Sequence, residues 1–257
     1  MSTRADVALV ERGLVRSRTL ARRLIETGAV LTDGPGGEVP VTRAAQPILP
    51  DQPLRVLESE TTRFVSRGGN KLDAALQAAG IDCTGLDALD VGMSTGGFTH
   101  CLLARGARQV LGIEVGHGQL DPVLAADPRV HCLEHTHIRD VHLADLRLPD
   151  GSAPAQGFAL IVVDLSFIAA SHLLDKLATL AAPGGRLTCL IKPQFELGPQ
   201  ARNRQGIVRA DADLDGLRRD VIQRAEDAGW QVNDWQRCAL VGGDGNQEYF
   251  LIATRRP

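Results

Sequence analysis

Lysine is scarce in this sequence. Of its 28 basic residues only Lys71, Lys176 and Lys192 are lysine, and all the others are arginine. Apolar runs long enough to cross a bilayer are missing too, because the longest, such as "FALIVV", are only strand-sized. The N-terminus "MSTRADVALVERG" has charges throughout and no signal-peptide plan, which points to a cytoplasmic protein. CxxC spacing is absent. The five cysteines, at 83, 101, 132, 189 and 238, are scattered and odd in number. That suits buried free thiols in a reducing compartment better than disulfides or a zinc site. Nor is there a surplus of positive charge. A formal net charge of −3 excludes a uniformly basic nucleic-acid binder and confines any basic surface to a patch.

What is present bounds the architecture. A chain of 257 residues with 44% hydrophobic content can bury a substantial core, as one large domain plus a small one. Residues 1–59 form the small α+β module. "DVALVERGL" and "SRTLARRLIETGAV" carry apolar residues at helical spacing, with Ser17 placed as an N-cap and Gly13 and Gly28 where C-caps belong. Short β-type segments follow, punctuated by "DGPGG" and several prolines. Residues 60–65, at the end of the charged "ESETTR" stretch, are the expected joint.

Residues 66–257 change pattern. "LDALDVG", "RQVLGIEVG", "RVHCLE", "FALIVVDLS" and "RLTCLIKP" are five apolar strands separated by helix-sized connections, which predicts an α/β fold with a parallel sheet. A long helix, "ADLDGLRRDVIQRAEDAGW", precedes two last strands whose turn-rich link "VGGDGN" predicts a hairpin.

"LDVGMSTGGFTHCLL" reads as strand, glycine turn, helix. Gly92, Gly96 and Gly97 let the backbone approach a ligand at the carboxyl end of the first strand. Neither GxGxxG nor GK[ST] is present, so neither a pyrophosphate nor a triphosphate is the obvious guest. Glu114 ends the next strand, placed to accept hydrogen bonds from ribose hydroxyls. This combination suits an adenosine cofactor without a pyrophosphate, S-adenosylmethionine being the leading example.

The scarcity of lysine matters at this point. Arginine stays charged under biological conditions, whereas a desolvated lysine can lose its proton and act as a base. Lys176 falls on a crossover helix as a solvated residue. Lys192, in "LIKPQFE", and Asp164, in "VVDLSF", stand at the carboxyl ends of the fifth and fourth strands. Lys71 opens the helix before the first strand, and Glu248 starts the last strand. Two amines and two carboxylates suit methylation of a hydroxyl: one lysine removes the proton, the other steadies the alkoxide, and the acids orient both. Either lysine can be the base; the strand end favours Lys192.

Seven ordered segments, "SRGGNKL", "DVGMSTGGFTHCLL", "DPRV", "VVDLSFI", "LIKPQFELG", "GIVR" and "GNQEYFL", closely resemble the TlyA-type family. Its members join an S-four-type RNA-binding domain to an FtsJ-like ribose 2′-O-methyltransferase, and some carry the label haemolysin. The label suits this sequence badly, since nothing in it could line a membrane. The resemblance implies a Rossmann-like S-adenosylmethionine-dependent methyltransferase fold with a small N-terminal α+β RNA-binding domain. It also implies methylation of ribosomal RNA, at cytidines; nothing in the sequence itself demands more than a monomer. Lys71, Asp164, Lys192 and Glu248 would correspond to the catalytic set. Gly92, Ser94, Thr95, Gly96, Gly97 and Phe98 would form the methionine side of the cofactor site, with Glu114 on the ribose and His137 near the adenine edge. Four positions depart from the family pattern: Met93, His100, Glu114 and His137. Met93 and His100 are expected to crowd or recharge the methionine pocket, and together with His137 they motivate an alternative: a non-catalytic RNA-binding or ribosome-assembly factor.

Arg12, Arg16, Arg18, Arg22 and Arg23 crowd the first two helices, in a segment whose charges balance overall. Their pattern resembles the S-four-type motif, and they are candidates for RNA phosphates. Arg202, Arg204 and Arg209, in "ARNRQGIVR", form a second candidate surface beside the methyl donor. "HCLEHTHIRDVH" is rich in histidine but lacks paired ligand spacing, so no metal is expected.

Overall fold

The alternation of apolar strands and helical stretches closes into one mostly parallel sheet. The computed structural model describes every residue except 1, 16, 35 and 58–62. The chain divides into two compact units, residues 1–63 and 64–257. Half of the expected joint, residues 60–62, lies outside the described residues. Phe64 and Val65, assigned to it from sequence, are instead core side chains of the second unit. Burying two apolar side chains of that size outweighs leaving them in a solvated joint.

The first unit contains β1 (Thr3–Arg4), α1 (Ala5–Glu11), α2 (Arg18–Glu26), β2 (Val30–Gly34), β3 (Gly37–Pro40), β4 (Pro47–Ile48) and β5 (Leu54–Val56). Strands β3, β2 and β5 form an antiparallel sheet in that order, and β1 pairs with β4. Ser17 Oγ caps α2 by accepting from Leu20 N at 3.2 Å. Leu9, Leu24, Ile25, Val30 and Ile48, drawn from both helices and the strands, make its core.

The second unit begins with α3 (Arg67–Ala78). It continues through β6 (Asp87–Val91), α4 (Gly97–Ala104), β7 (Gln109–Ile113), α5 (Pro122–Ala125), β8 (Val130–Leu133), β9 (Phe158–Val163) and α6 (Leu174–Ala178). Then come β10 (Ala181–Ile191), α7 (Pro193–Glu196), α8 (Leu214–Asp227), β11 (Trp230–Arg237) and β12 (Tyr249–Arg255). The sheet order is β11-β12-β10-β9-β6-β7-β8. Strands β6 to β10 run parallel, whereas β12 is antiparallel to both β10 and β11. The final hairpin therefore forms, but with its second strand on the inside.

Both faces of the sheet are covered, which is why β7 and β9 read as continuous apolar runs. On one face Leu72, Leu76 and Leu102, from α3 and α4, pack against Val110, Leu160 and Phe250. On the other Leu174, Leu177, Leu217 and Val221, from α6 and α8, meet Ile161, Leu187 and Leu251. Two of the helix-sized connections are not long helices. The β7–β8 link has only the four residues of α5. The β8–β9 link has the short 3₁₀ turns Ile138–Asp140 and Leu143–Asp145. Prolines at 122, 128, 149 and 154 and the turn "PDG" deny these links helical continuity. The chain leaves β6 toward β7 and β8 and returns on the other side as β9. The crevice at this reversal, at the carboxyl ends of β6 and β9, is where open α/β sheets bind ligands.

Candidate active site

Four charged side chains from four elements collect at that edge. Lys71 lies one turn inside α3 rather than at its opening, because the helix already starts at Arg67. Its Nζ donates to Glu248 Oε2 at 2.5 Å, and both side chains are nearly sealed from water, at 8% and 4% exposed. Lys192 Nζ is 2.6 Å from Asp164 Oδ1, with side chains 11% and 26% exposed. This second contact is an ion pair without hydrogen-bond alignment, so Oδ1 keeps unused acceptor capacity. Lys192 also donates to Ser166 Oγ at 3.1 Å, a partner that the sequence did not suggest. The sheet register brings the two pairs together. Ile191 on β10 is paired with Tyr249 on β12, and the next residue outward on each strand is Lys192 or Glu248. The Cys238 thiol is pushed up by burial, while the Lys71 charge lowers it and those of Glu248 and Asp164 raise it.

The glycine loop is tied to the same edge. Gly92 has φ +85°, and a Cβ there would lie 2.4 Å from the Asp164 carbonyl oxygen. Only glycine permits that approach. Ser94 is left-handed, with φ +48°. Glu114 holds it: Oε2 accepts from Ser94 N at 2.9 Å and Oε1 from Gly116 N at 2.8 Å. Thr95 is exposed at the loop's tip and Gly96 starts α4. Beneath the loop Asp90 is fully buried. Thr99 Oγ1 donates to its Oδ2 at 2.7 Å, and its Oδ1 has no hydrogen-bond partner. Burial pushes this carboxyl up to about 7, the Thr99 hydrogen bond opposes the shift, and the charge on Asp164 adds to it. Asp90 was missed in the sequence, although a charge inside an apolar parallel strand was the available signal.

Several sequence expectations change here. Phe98 is 3% exposed and packs its ring 6.2 Å from that of Phe250, so its side chain belongs to the core. Gly97 serves helix packing, since a Cβ would fall 2.1 Å from Ser66 Oγ. Met93 does not crowd a pocket: its thioether turns inward over Gly112, where a Cβ would meet Met93 Cε at 2.1 Å. His100 Nδ1 accepts from Val65 N at 3.1 Å and its ring meets Phe64 edge-on, fastening the entry to α3. His137 is exposed, and its Nδ1 accepts from Arg139 N at 3.1 Å. Phe167 is the opposite surprise. It is 87% exposed, left-handed at φ +71°, and three residues beyond Asp164, with its ring 5.5 Å from that of Phe195.

The FtsJ-like methyltransferase family's sequence profile matches residues 64–255. The chain belongs to the FtsJ-like methyltransferase family. It is 39% identical over 253 residues, 96% of this chain and 88% of the other, to a Mycobacterium tuberculosis protein described as 16S/23S rRNA (cytidine-2′-O)-methyltransferase TlyA. A solved structure of a haemolysin-labelled protein from Streptococcus thermophilus matches with TM-score 0.73 and 30% identity, covering 99% of this chain and 89% of that one. A Listeria monocytogenes structure described as an S-adenosylmethionine-dependent methyltransferase shares the fold. Its TM-score is 0.54 at 13% identity, over 75% of this chain and all of that one. Among the described residues of this FtsJ-like chain, no helix is long and apolar enough to cross a membrane.

The candidate RNA-contacting arginines sort by their partners. Arg12 is occupied with the carbonyls of Leu49, Pro50 and Gln52, at 2.8, 3.0 and 2.5 Å, and fastens its own unit. Arg18 and Arg22 are half-exposed and converge, with Arg4, on the buried Asp6 at 3.0, 3.1 and 2.9 Å. Arg4 was not anticipated. Arg23 is partly buried on α2, and Arg16 lies outside the described residues. Arg209 pairs with Asp211 at 2.8 Å. Arg202 and Arg204 have no ion pair among the described residues.

Proposed function

We propose that this protein transfers a methyl group from S-adenosylmethionine to the 2′-hydroxyl of a cytidine in cytoplasmic ribosomal RNA. The observation that carries the reading is the pairing of Lys192 with Asp164 and of Lys71 with Glu248 beside the glycine loop. The nucleotide and the ribosomal substrate come from the 39% identical relative.

The loop suits an adenosyl donor. Gly92 and Gly96 let the loop pack closely on the Asp164 carbonyl and on Leu124, the exposed Ser94 and Thr95 offer hydroxyl oxygens, and Glu114 keeps lone pairs free for ribose hydroxyls. Asp90, with an orphaned oxygen beneath the loop, and the exposed His137 complete the candidate wall. When bound, S-adenosylmethionine supplies an electrophilic sulfonium methyl.

The side chains divide the remaining work. Lys192 Nζ is the group that would take up the 2′-hydroxyl proton, with Asp164 and Ser166 placed to hold the ammonium that results. Lys71 stays cationic beside Glu248, its fixed charge stabilising the developing alkoxide in a site largely closed to water. Phe167 offers an aromatic face to an unstacked base. Arg18, Arg22 and Arg4 on the first unit and Arg202 and Arg204 on the second offer guanidinium groups to phosphates. Of the three residues that motivate the non-catalytic alternative, Met93 packs inward over Gly112 and His100 is held by Val65 N, so that only His137 is exposed.

The test is to map 2′-O-methylation on ribosomal RNA treated with the wild-type protein or with Lys192→Arg. A cytidine methylated by the wild type and not by Lys192→Arg supports the reading, absence of any cytidine methylated by the wild type refutes it, and methylation by both proteins moves the base to Lys71.

A further inference from the structure

The sequence marked "ARNRQGIVR" as a possible phosphate-holding segment. In the fold, residues 202–208 are a tight hairpin. Arg202 bridges Val208, Asn203 N donates to Ile207 O at 2.8 Å, and Asn203 Oδ1 accepts from Gln205 N and Ile207 N, both at 2.9 Å. Arg204 stands exposed at its tip.

This hairpin is fastened from beneath by one side chain. Asn246 is 1% exposed. Its Oδ1 accepts from Val208 N at 2.8 Å, and its Nδ2 donates to Gly206 O at 3.1 Å and to Asp244 Oδ2 at 2.8 Å. The Asn246 backbone is held as well, with N donating to Asp244 Oδ1 at 3.0 Å and O accepting from Gly242 N at 2.7 Å. Gln194, also buried, donates to Asp244 Oδ2 at 3.2 Å. Gln194 lies two residues beyond Lys192, and Asn246 two residues before Glu248. One small network thus joins the Lys192 arm, the Glu248 arm and the arginine-bearing hairpin.

The chemistry requires an amide. An aspartate at 246 could accept from Val208 N but would face Asp244 with a second carboxylate, and an apolar residue would leave Val208 N and Gly206 O unpartnered. We propose that Asn246 is a positioning residue for the RNA substrate: it fixes the 202–208 hairpin against the catalytic edge, so that phosphates held by Arg202 and Arg204 arrive in register with Lys192 and Glu248. This rests on the RNA-methylation reading above and deepens it.

The experiment measures KM and kcat with a ribosomal RNA substrate at saturating cofactor, together with cofactor affinity by calorimetry. The variants are Asn246→Ala, Asn203→Ala, Arg202→Ala and Arg204→Ala, and the pair Asn246→Ala/Arg204→Ala. Asn203→Ala loosens the hairpin at its exposed side and carries the test if Asn246→Ala fails to fold. The expected result is an RNA KM raised about tenfold by each single variant, kcat within about twofold, and cofactor affinity unchanged. The double variant is no worse than about twofold beyond Asn246→Ala, because residues acting through one element are not additive. If Arg204→Ala raises KM while Asn246→Ala and Asn203→Ala do not, the latch is wrong and the phosphate contact stands. The latch is equally overturned if the Asn246 and Arg204 effects simply multiply. If Arg204→Ala and Arg202→Ala both leave KM unchanged, the phosphate contact itself falls, and the inference with it.

Discussion

Lys71 and Glu248, 177 residues apart in the chain, form an ion pair 2.5 Å long that is almost closed to solvent. Such a pair needs both members. Removing one leaves an uncompensated buried charge, at about 3–5 kcal/mol. Glu248→Gln and Lys71→Met should therefore each lose stability on that scale as well as methyl transfer. The double variant Lys71→Met/Glu248→Gln should recover much of the stability and none of the activity. Denaturant unfolding of the three proteins checks this, and a double variant as unstable as the worse single one would contradict it.

Lys192→Arg isolates proton removal from charge. The guanidinium can still face Asp164 but does not give up its proton, so the base is lost while the ion pair persists. Methyl transfer should fall about 100-fold or more, the usual range for a general base, with cofactor affinity retained. An active Lys192→Arg protein would transfer the role to Lys71.

The two pairs show how far sequence reached and where it stopped. The strand ends carrying Asp164, Lys192 and Glu248 were legible because β9, β10 and β12 are apolar runs with abrupt polar ends. The partners were not legible. That Lys71 meets Glu248 rather than Asp164 depends on β12 lying inside the hairpin next to β10, and no local pattern encodes sheet order. Met93 reads as a loop residue, but its direction depends on the bare surface of Gly112 on the neighbouring strand. Asp90 and Asn246 act through burial and long-range hydrogen bonds, which a linear pattern does not display. Gly92 read as a point where the backbone approaches a ligand, whereas the neighbour that excludes a side chain there is the Asp164 carbonyl, at the end of a strand that the local pattern does not identify as its neighbour.

That approach predicts a graded glycine series. Gly118→Ala meets no atom within 4 Å and carries only the left-handed strain of its φ of +62°, about 1–2 kcal/mol. Gly92→Ala adds to a similar strain a backbone collision at 2.4 Å. It should lower the melting temperature further and also weaken cofactor binding, since relieving the collision displaces Asp164 or the loop. Equal melting temperatures for the two variants would show that the loop yields freely.

Asp90 predicts a pH dependence of stability. Its folded value, about 7, is raised above the ordinary 3.8. A group raised in this way contributes fully below about pH 4 and loses that contribution as pH climbs through 7, at about 1.4 kcal/mol per unit within the window. Asp90→Asn removes the titration while keeping an acceptor for Thr99, so relative to wild type it should gain stability from pH 4 to pH 8. Asp6 acts in the opposite sense. The hydrogen bond from Arg4, joined by those from Arg18 and Arg22, outweighs burial and lowers its carboxyl, so its contribution is present above about pH 4 and lost as pH falls below. Unfolding midpoints at pH 2, 4, 6 and 8 separate the two, and parallel profiles for wild type and Asp90→Asn would refute the Asp90 assignment.

Phe167 combines two costs that folding alone does not explain: a ring left 87% exposed and a left-handed backbone. A bulky residue in that region is strained by about 1–3 kcal/mol. Phe167→Gly should therefore hold or raise the melting temperature. If the ring stacks on an unstacked base, its loss removes about 1–3 kcal/mol, and the RNA KM rises about 5- to 150-fold. Phe167→Trp keeps a stacking face and should restore most of the affinity, and cofactor binding should be unchanged throughout. A Phe167→Gly protein with wild-type RNA KM would leave the ring to its contact with Phe195 and remove it from substrate recognition.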